Sequence, residues 1–329
     1  MNATLRPPHV LRAALTAGLM LTLGTVASAQ TAFISSEKDH ALTVLDLKTQ
    51  AVTGTVKTCK RPRHMKLLDG GKQLLVACGD SGQADLIDTA TRKSLRKIGL
   101  GEDPEIFDVS ADGKTLYVSN EEDGEVGIVD MASGKRTKAI KVGEEPEGVL
   151  LSPDGKTLYV TSEAANMVHV VDVASGKVAK NIKAGKRPRR FAITPDGATL
   201  FVTNELDASV SVIDTKSQAV ADTIRFEIKG ARATDITPVG ITMTADGKRA
   251  FVALGKANHV AFVDVASRKV THTVLVGKRA WGLGLDKAEK TLLVANGMSD
   301  DLSIVDVDGA KALKTVKVGR VPHSVAIVE

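Results

Sequence analysis

The side chains most able to do chemistry in this sequence flank a short motif, Gly-x-x-Pro or a close variant, which recurs along the chain. Carboxylates flank two consecutive copies, and arginines flank the copies on either side. The flanking residues are, in chain order, Arg61, Arg63, Asp103, Glu105, Glu145, Glu147, Arg187, Arg189, Arg279, Trp281 and His323. Carboxylate oxygens suit hard divalent cations, and a planar guanidinium matches a carboxylate or phosphate group. The motif therefore predicts a ligand-binding site wherever the fold gathers its copies.

Two interpretations of this set are open. In one, the carboxylates bind a divalent cation, or the arginines bind an anion, and charge reversal at Arg187 and Arg189 should weaken binding without unfolding the protein. In the other, which we favour, carboxylates and arginines pair as an ion network that braces the fold. The sequence has no C-x-x-C-H, G-x-S-x-G or H-E-x-x-H motif. We therefore assign neither catalytic residues nor metal ligands.

The elements that must position these residues follow from an internal repeat. Each copy contains four short segments rich in β-branched residues, separated by Pro-Asp-Gly and Ser-Gly turns, which predict antiparallel strands. The third segment ends on an aspartate, and these aspartates are 42 residues apart except for one interval of 50: Asp46, Asp88, Asp130, Asp172, Asp214, Asp264 and Asp306. Four strands in such a unit are typical of a propeller blade. The predicted fold is an all-β, seven-bladed β-propeller of four-stranded blades.

The chain ends predict how the ring closes. Residues 31–35 match a second strand of the repeat, and residues 324–328 match a first strand. The C-terminal strand should therefore complete the N-terminal blade and cover two edges that would otherwise invite aggregation. First strands line the channel of a propeller, so the flanking residues should ring one mouth of it. Loops between second and third strands add four glutamates there: Glu37, Glu121, Glu163 and Glu205.

Two features interrupt the repeat. Cys59 begins a first strand and Cys78 ends the second strand of the same blade, where antiparallel pairing brings the two ends together, so a disulfide is predicted. The 50-residue interval has eight extra residues within 225–236. An insertion of this kind maps to a loop that often binds a ligand or partner, with a neutral extension as the alternative. Its deletion should then leave the melting temperature nearly unchanged.

The N-terminus predicts export. Arg6 and Arg12 precede an apolar run, residues 13–26, and Ala27-Ser28-Ala29 is a typical cleavage site. We interpret residues 1–29 as a signal peptide and residues 30–329 as a periplasmic propeller without a membrane anchor. Cleavage removes two arginines and no acidic residue, so the net charge falls from +5 to +3. Because the basic residues are dispersed, nucleic acid is not expected as a partner, and we expect a monomer.

The blade pattern also carries a family resemblance. Leu116–Asn120 and 201–204 (Phe-Val-Thr-Asn) resemble the YVTN family of propeller repeats. The whole mature chain resembles the propeller proteins associated with PQQ-dependent catabolism, most specifically in the Arg-Pro-Arg motifs and in Phe-Glu-Ile-Lys-Gly at 226–230. The resemblance implies a periplasmic protein found beside quinoprotein dehydrogenase and transport components. It supplies no catalytic residue.

Three classes of function follow. The first is a non-catalytic binding or scaffolding propeller associated with quinoprotein alcohol catabolism. The second is a lactonase-like hydrolase that uses mouth carboxylates with a metal, and the third is a cofactor- or haem-binding electron-transfer propeller. No cofactor is assigned, but PQQ, an anion with three carboxylates, and a divalent cation are the two candidates. We expect the first class and therefore no enzyme activity.

Overall fold

A computed structural model describes Met1 and residues 30–329, so the predicted signal peptide lies outside the described residues apart from its first. Within the described chain, 28 strands form seven four-stranded antiparallel sheets. The innermost strands of successive sheets contact one another around a closed ring. This confirms the predicted seven-bladed propeller. No helix of the described part is long and apolar enough to cross a membrane.

Each blade runs outward from its innermost strand in chain order, except blade 1, whose innermost strand comes last. Blade 1 contains β1 (Thr31–Ser36), β2 (Ala41–Asp46), β3 (Ala51–Lys57) and, as its innermost strand, β28 (Pro322–Val328). Blade 2 contains β4 (Pro62–Leu68), β5 (Gln73–Cys78), β6 (Gln83–Asp88) and β7 (Lys93–Gly99). Blade 3 contains β8 (Pro104–Val109), β9 (Thr115–Asn120), β10 (Glu125–Asp130) and β11 (Lys135–Lys141). Blade 4 contains β12 (Pro146–Leu151), β13 (Thr157–Ser162), β14 (Met167–Asp172) and β15 (Lys177–Lys183).

The remaining blades follow the same plan. Blade 5 contains β16 (Pro188–Ile193), β17 (Thr199–Asn204), β18 (Ser209–Asp214) and β19 (Ala219–Arg225). Blade 6 contains β20 (Ile241–Met243), β21 (Arg249–Ala253), β22 (His259–Asp264) and β23 (Lys269–Leu275). Blade 7 contains β24 (Ala280–Leu285), β25 (Thr291–Asn296), β26 (Asp301–Asp306) and β27 (Lys311–Lys317). Short 3-10 turns occur at Asp69–Gly71, Gly79–Ser81 and Ala233–Asp235.

Hydrophobic packing lies between blades. Each of the seven hydrophobic clusters among the described residues combines side chains of two adjacent blades. Phe33 of blade 1, for example, packs in one cluster with Leu74 and Ile87 of blade 2. A single blade would leave both faces exposed to water, so the ring must close for its blades to be stable.

Hydroxyl groups add a polar link between blades. The Ser or Thr of the Tyr-Val-Thr-Asn-like motif donates a hydrogen bond to a carbonyl oxygen in, or just before, the next blade's innermost strand. The pairs are Ser35 to Arg63 (3.0 Å), Ser119 to Glu147 (2.6 Å), Thr161 to Arg189 (3.2 Å) and Thr203 to Val239 (2.8 Å). The repeated motif is therefore explained by ring assembly.

Blades approach closely at Gly148, in the innermost strand of blade 4. A Cβ atom there would clash with the backbone carbonyl oxygen of Arg189 in blade 5. We expect Gly148→Ala to lower the free energy of unfolding by about 2 kcal/mol, because backbone cannot yield as a side chain can. Urea unfolding checks this, with Gly99→Ala as the control, since nothing lies within 4 Å of a Cβ at Gly99. Equal stability of the two variants would contradict the expectation.

Cys59 and Cys78 form a disulfide in the structure, with Cα atoms 5.7 Å apart. Both cysteines are buried. Cys78 occupies the position of Asn120 in blade 3, whose side-chain amide donates to the carbonyl oxygens of Leu100 and Glu102. In blade 2 the disulfide thus takes the place of the side-chain hydrogen bonds that connect the same two segments in blade 3.

We expect replacement of both cysteines by alanine to lower the free energy of unfolding by about 3 kcal/mol, because the bond closes a short loop in the unfolded chain. The measurement is urea unfolding of the oxidised wild type, the reduced wild type and the variant. The reduced protein should match the variant. A variant as stable as the oxidised protein would show that packing alone holds the two segments.

The insertion packs against the core, which corrects the prediction that it is a dispensable loop. Phe226 and Ile236 at its ends are 3% and 2% exposed, and Ile228 and Ala231 pack against the same cluster between blades 5 and 6. Deleting about eight residues of residues 225–236 should therefore lower the melting temperature instead of leaving it unchanged.

The outermost strand of each blade faces solvent, and three of the seven are rich in lysine. Lysines recur every third residue in three of them: Lys135, Lys138 and Lys141 in β11, Lys177, Lys180 and Lys183 in β15, and Lys311, Lys314 and Lys317 in β27. These strands leave one row of backbone groups unpaired within the sheet, and charge on such an edge opposes pairing with a second molecule.

Candidate functional site at the channel mouth

The charged residues reach the channel mouth through a shared backbone conformation. The residue before each innermost strand is left-handed in six blades: Arg61, Asp103, Glu145, Arg187, Arg279 and Val321, with φ between 34° and 60°. The carbonyl oxygen of this residue accepts a hydrogen bond from the first residue of the loop after the second strand. Glu121 donates in this way to Asp103 (3.3 Å), and Glu163 donates to Glu145 (2.9 Å). Each glutamate that begins one of these loops is thus held beside the residue that precedes an innermost strand.

Ion pairs connect blades 1, 2 and 3. Arg61 contacts Asp103 at 3.0 Å and Glu105 at 3.1 Å, and Arg63 contacts Glu37 at 3.1 Å. Arg63 also pairs with Glu105, whose side chain is fully buried. The two arginines of this sector are therefore already paired with carboxylates.

A second network surrounds Arg189, which is 5% exposed. Its guanidinium pairs with Glu163, with Glu147 at 3.3 Å and with Glu205 at 3.6 Å. Arg187 adds contacts of 2.7 Å to Glu163 and 3.2 Å to Glu205. Burial works against ionisation here, but the three carboxylates raise the pKa of Arg189 above its usual value.

Two carboxylates of this network have opposite pKa shifts, because their surroundings differ. Burial would raise the pKa of Glu147, but Arg189 and Arg190, the latter 2.6 Å away, bring it down to about 2. Burial is also the largest influence on Glu163, and together with the charge of Glu147 it raises that pKa to about 7 against the opposing arginines. Glu147 is therefore ionised at neutral pH, whereas Glu163 gains or loses its proton near pH 7.

Arg279, Trp281 and His323 complete the ring on blades 7 and 1. The guanidinium carbon of Arg279 lies 4.7 Å from the centre of the Trp281 ring, and its Nη2 lies 3.0 Å from Glu205. The Trp281 indole donates to Nε2 of His323 at 2.6 Å. Burial, then Arg63, holds the pKa of His323 well below its usual range. His323 is therefore a neutral acceptor.

Deeper in the channel, His64 is also neutral. Burial is the main cause that lowers its pKa to about 3, and its ring packs edge-on against Phe107 with centres 4.7 Å apart. It borders a cavity of about 260 Å³ that Lys66 and Asp108 also line. No charged histidine is thus available there at neutral pH.

One sector of the mouth keeps unpaired carboxylates. Glu121 is half-buried, and its carboxylate has no hydrogen bond or ion pair with any residue that the structure describes. Burial, then Glu147 and Asp103, raises its pKa. An open cavity of about 500 Å³ lies beside it, and the described residues that line it are Asp103, Glu121, Glu122, Asp123, Gly124, Glu144 and Glu145. We call this cavity the acidic pocket.

The structure brings the predicted mouth residues together but changes their grouping. The sequence suggested an acidic sector between two basic ones, whereas Glu37, Glu163 and Glu205 reach the arginines and neutralise them. The arrangement favours the ion network for the arginines, and it makes Arg189 a structural residue whose charge reversal should destabilise the ring. Asp80, which lies 3.3 Å from Arg61, was outside the predicted set. Asp80 could not be found by position, because no other blade has a charged pair there.

Among solved structures, the periplasmic gluconolactonase PpgL of Pseudomonas aeruginosa is similar to the chain, with a TM-score of 0.78 and 19% identity over 92% of this chain and 99% of that one. Hydrazine synthase of Kuenenia stuttgartiensis has a TM-score of 0.75 and 23% identity, over 84% and 92%. Dihydro-heme d1 dehydrogenase NirN, in complex with DHE, has a TM-score of 0.68 and 17% identity, over 90% and 74%. At these identities the similarity shows the propeller fold and no common activity.

No curated protein matches the chain significantly. A family model does match, over residues 120–327, which span the end of blade 3 through to the closing strand. Its description is the choice-of-anchor I domain. This protein therefore belongs to the choice-of-anchor I domain family.

Proposed function

We propose that this protein is a non-catalytic binding or scaffolding propeller of the periplasm, associated with PQQ-dependent alcohol oxidation, and that it docks a basic partner at the acidic pocket. The observation that carries the docking is the contrast between paired arginines and unpaired carboxylates at one mouth. The resemblance to PQQ-associated propellers supports the association with PQQ-dependent oxidation, and the signal peptide predicted from the sequence supports the compartment. A quinoprotein dehydrogenase or a transport component is the expected partner.

Charge reversal tests the docking. We expect Glu144→Lys to weaken capture of the partner at least about fivefold, because it reverses a charge in the acidic pocket. Asp308→Lys, on the exposed turn between β26 and β27, is the control of equal charge change. The measurement is salt-dependent binding of a purified quinoprotein dehydrogenase from the same periplasm to the immobilised protein. Binding that both variants retain, or lose equally, would contradict docking at the pocket.

Free PQQ is a poor match for this mouth. Its three carboxylates would have to displace glutamates from Arg63, Arg187 or Arg189, each of which already has at least two carboxylate partners. We expect isothermal titration calorimetry of residues 30–329 with PQQ to give no binding heat at micromolar concentrations. Micromolar binding that Arg187→Gln abolishes would instead make this a cofactor-handling protein.

Lactone hydrolysis is the second candidate, because Asp103, Glu105 and Glu121 converge at the mouth. The fold is also shared with a periplasmic gluconolactonase. The test is base consumption at constant pH with gluconolactone and calcium chloride. We expect a rate equal to the spontaneous one. A faster rate that Glu121→Gln removes would establish the hydrolase instead.

A further inference from the structure

We propose that Asp103, Glu105 and Glu121 bind a divalent cation, with calcium the best match, at the edge of the acidic pocket. The proposal rests on the proposed function, because it assigns a ligand to the same mouth. One carboxylate oxygen of each residue lies within 4.8 Å of one from each of the others. Calcium binds oxygens at about 2.3–2.6 Å, so two oxygens on one ion are at most about 5 Å apart. The spacing of the three residues meets that limit.

Glu105 provides an independent observation. Its side chain is fully buried, and its Oε1 pairs with Arg61 and Arg63. Its other oxygen, Oε2, is buried without a hydrogen-bond partner among the described residues. Leaving a buried carboxyl oxygen without a partner is unfavourable, and a bound cation would supply one.

Glu121 is the central ligand of the proposed site. Its carboxylate has no partner among the residues the structure describes, and it also belongs to a second set of converging carboxylates, with Glu145 and Glu163. In the second set both carboxylate oxygens of Glu163 contact an arginine, Oε1 that of Arg189 and Oε2 that of Arg187, whereas Oε2 of Glu105 in the first set has no such partner among the described residues. The first set is therefore the better cation site.

The local charge favours a cation in spite of the nearby arginines. Arg61 and Arg63 bring two positive charges to this set, whereas five carboxyl groups lie there, the four that they touch and Glu121: Glu37, Asp80, Asp103, Glu105 and Glu121. Calcium accepts six to eight oxygens in flexible geometry, so the open side of the pocket can complete the shell with water. Magnesium demands a stricter octahedron and suits this uneven set less well.

The test is a calcium chloride titration of residues 30–329, freed of metal by a chelator, followed by calorimetry and thermal unfolding. We expect one site and a higher melting temperature with calcium. Glu121→Gln should weaken calcium binding at least about tenfold, since a ligand is lost. Glu122→Gln, which removes an equal charge from an exposed neighbour in the same pocket, should change it by less than about twofold.

Absence of calcium binding at about 10 mM, roughly ten times the dissociation constant of the weakest known extracellular sites, would overturn the proposal. Equal weakening by Glu121→Gln and Glu122→Gln would overturn it as well, because it would indicate a diffuse attraction. A tenfold loss in Glu145→Gln would transfer the site to the second set and overturn the assignment. Partner capture measured with chelator separates the two proposals: capture without calcium binding leaves the docking function intact, and calcium binding without capture leaves the cation site intact.

Discussion

Removal of the last strand, residues 322–329, should leave a chain that no longer forms a stable ring. In the intact protein β28 pairs with β1 over Thr31–Val328, Ala32–Ile327, Phe33–Ala326 and Ile34–Val325. It also contacts the innermost strands of both neighbouring blades. The truncated chain would expose an unpaired edge and two apolar faces at once, which favours aggregation. We expect loss of the sharp thermal transition and of the monomer peak in size-exclusion chromatography.

A control and a rescue experiment accompany this prediction. Deletion of Glu329 alone, which lies beyond β28, should leave the transition nearly unchanged. A synthetic peptide of residues 320–329 should restore a monomer peak when added during refolding, since it can take the vacant position. A truncated protein that stays monomeric with its original melting temperature would contradict closure by β28 as a requirement.

Replacement of Arg189 by methionine should lower the free energy of unfolding by about 3–5 kcal/mol at pH 7, the usual cost of breaking a buried ion pair on one side. Methionine preserves much of the side-chain volume but leaves Glu147, Glu163 and Glu205 without their shared counter-charge. The control is Arg268→Met, which breaks an exposed 3.2 Å pair with Asp222 and should cost about 0–1 kcal/mol. Urea unfolding measures both.

The stability deficit of the Arg189→Met variant should depend on pH, because Arg189 affects the ionisation of Glu163. Glu163 already has its pKa raised to about 7, mainly by burial, and loss of Arg189 would raise it further. A carboxyl whose folded-state pKa lies above its unfolded value costs stability when the pH rises above the unfolded value, and this cost disappears at lower pH. Below about pH 7 Glu163 is protonated in the folded state of both proteins, which then carry this cost equally, so the deficit of the Arg189→Met variant should grow as the pH rises from about 7 to about 9 and shrink again on acidification to pH 7. A deficit that is constant with pH would mean that lost packing, and not charge, is responsible.

The repeat made the fold predictable, because the 42-residue period gave the blade count and the split blade gave the closure. The mouth was predictable as a set of residues, since position in the repeat identifies its members. Which of them pair was not, because Arg189 contacts carboxylates from two blades and such distances depend on the closed ring. The buried insertion was missed for a related reason: Phe226 and Ile236 are far from their packing partners in sequence.

The sequence has an isoelectric point of about 9.0, and the lysine-rich outer strands contribute to its positive charge. The positive charge of these strands lies on the rim of the ring, while the acidic pocket lies at the channel mouth. Two copies approaching rim to rim meet like charges, whereas a basic partner approaching along the axis meets opposite ones. The protein should therefore adhere to a negatively charged chromatography matrix by its rim and still present a negative face to a partner. Its overall charge is a poor guide to what the channel mouth attracts.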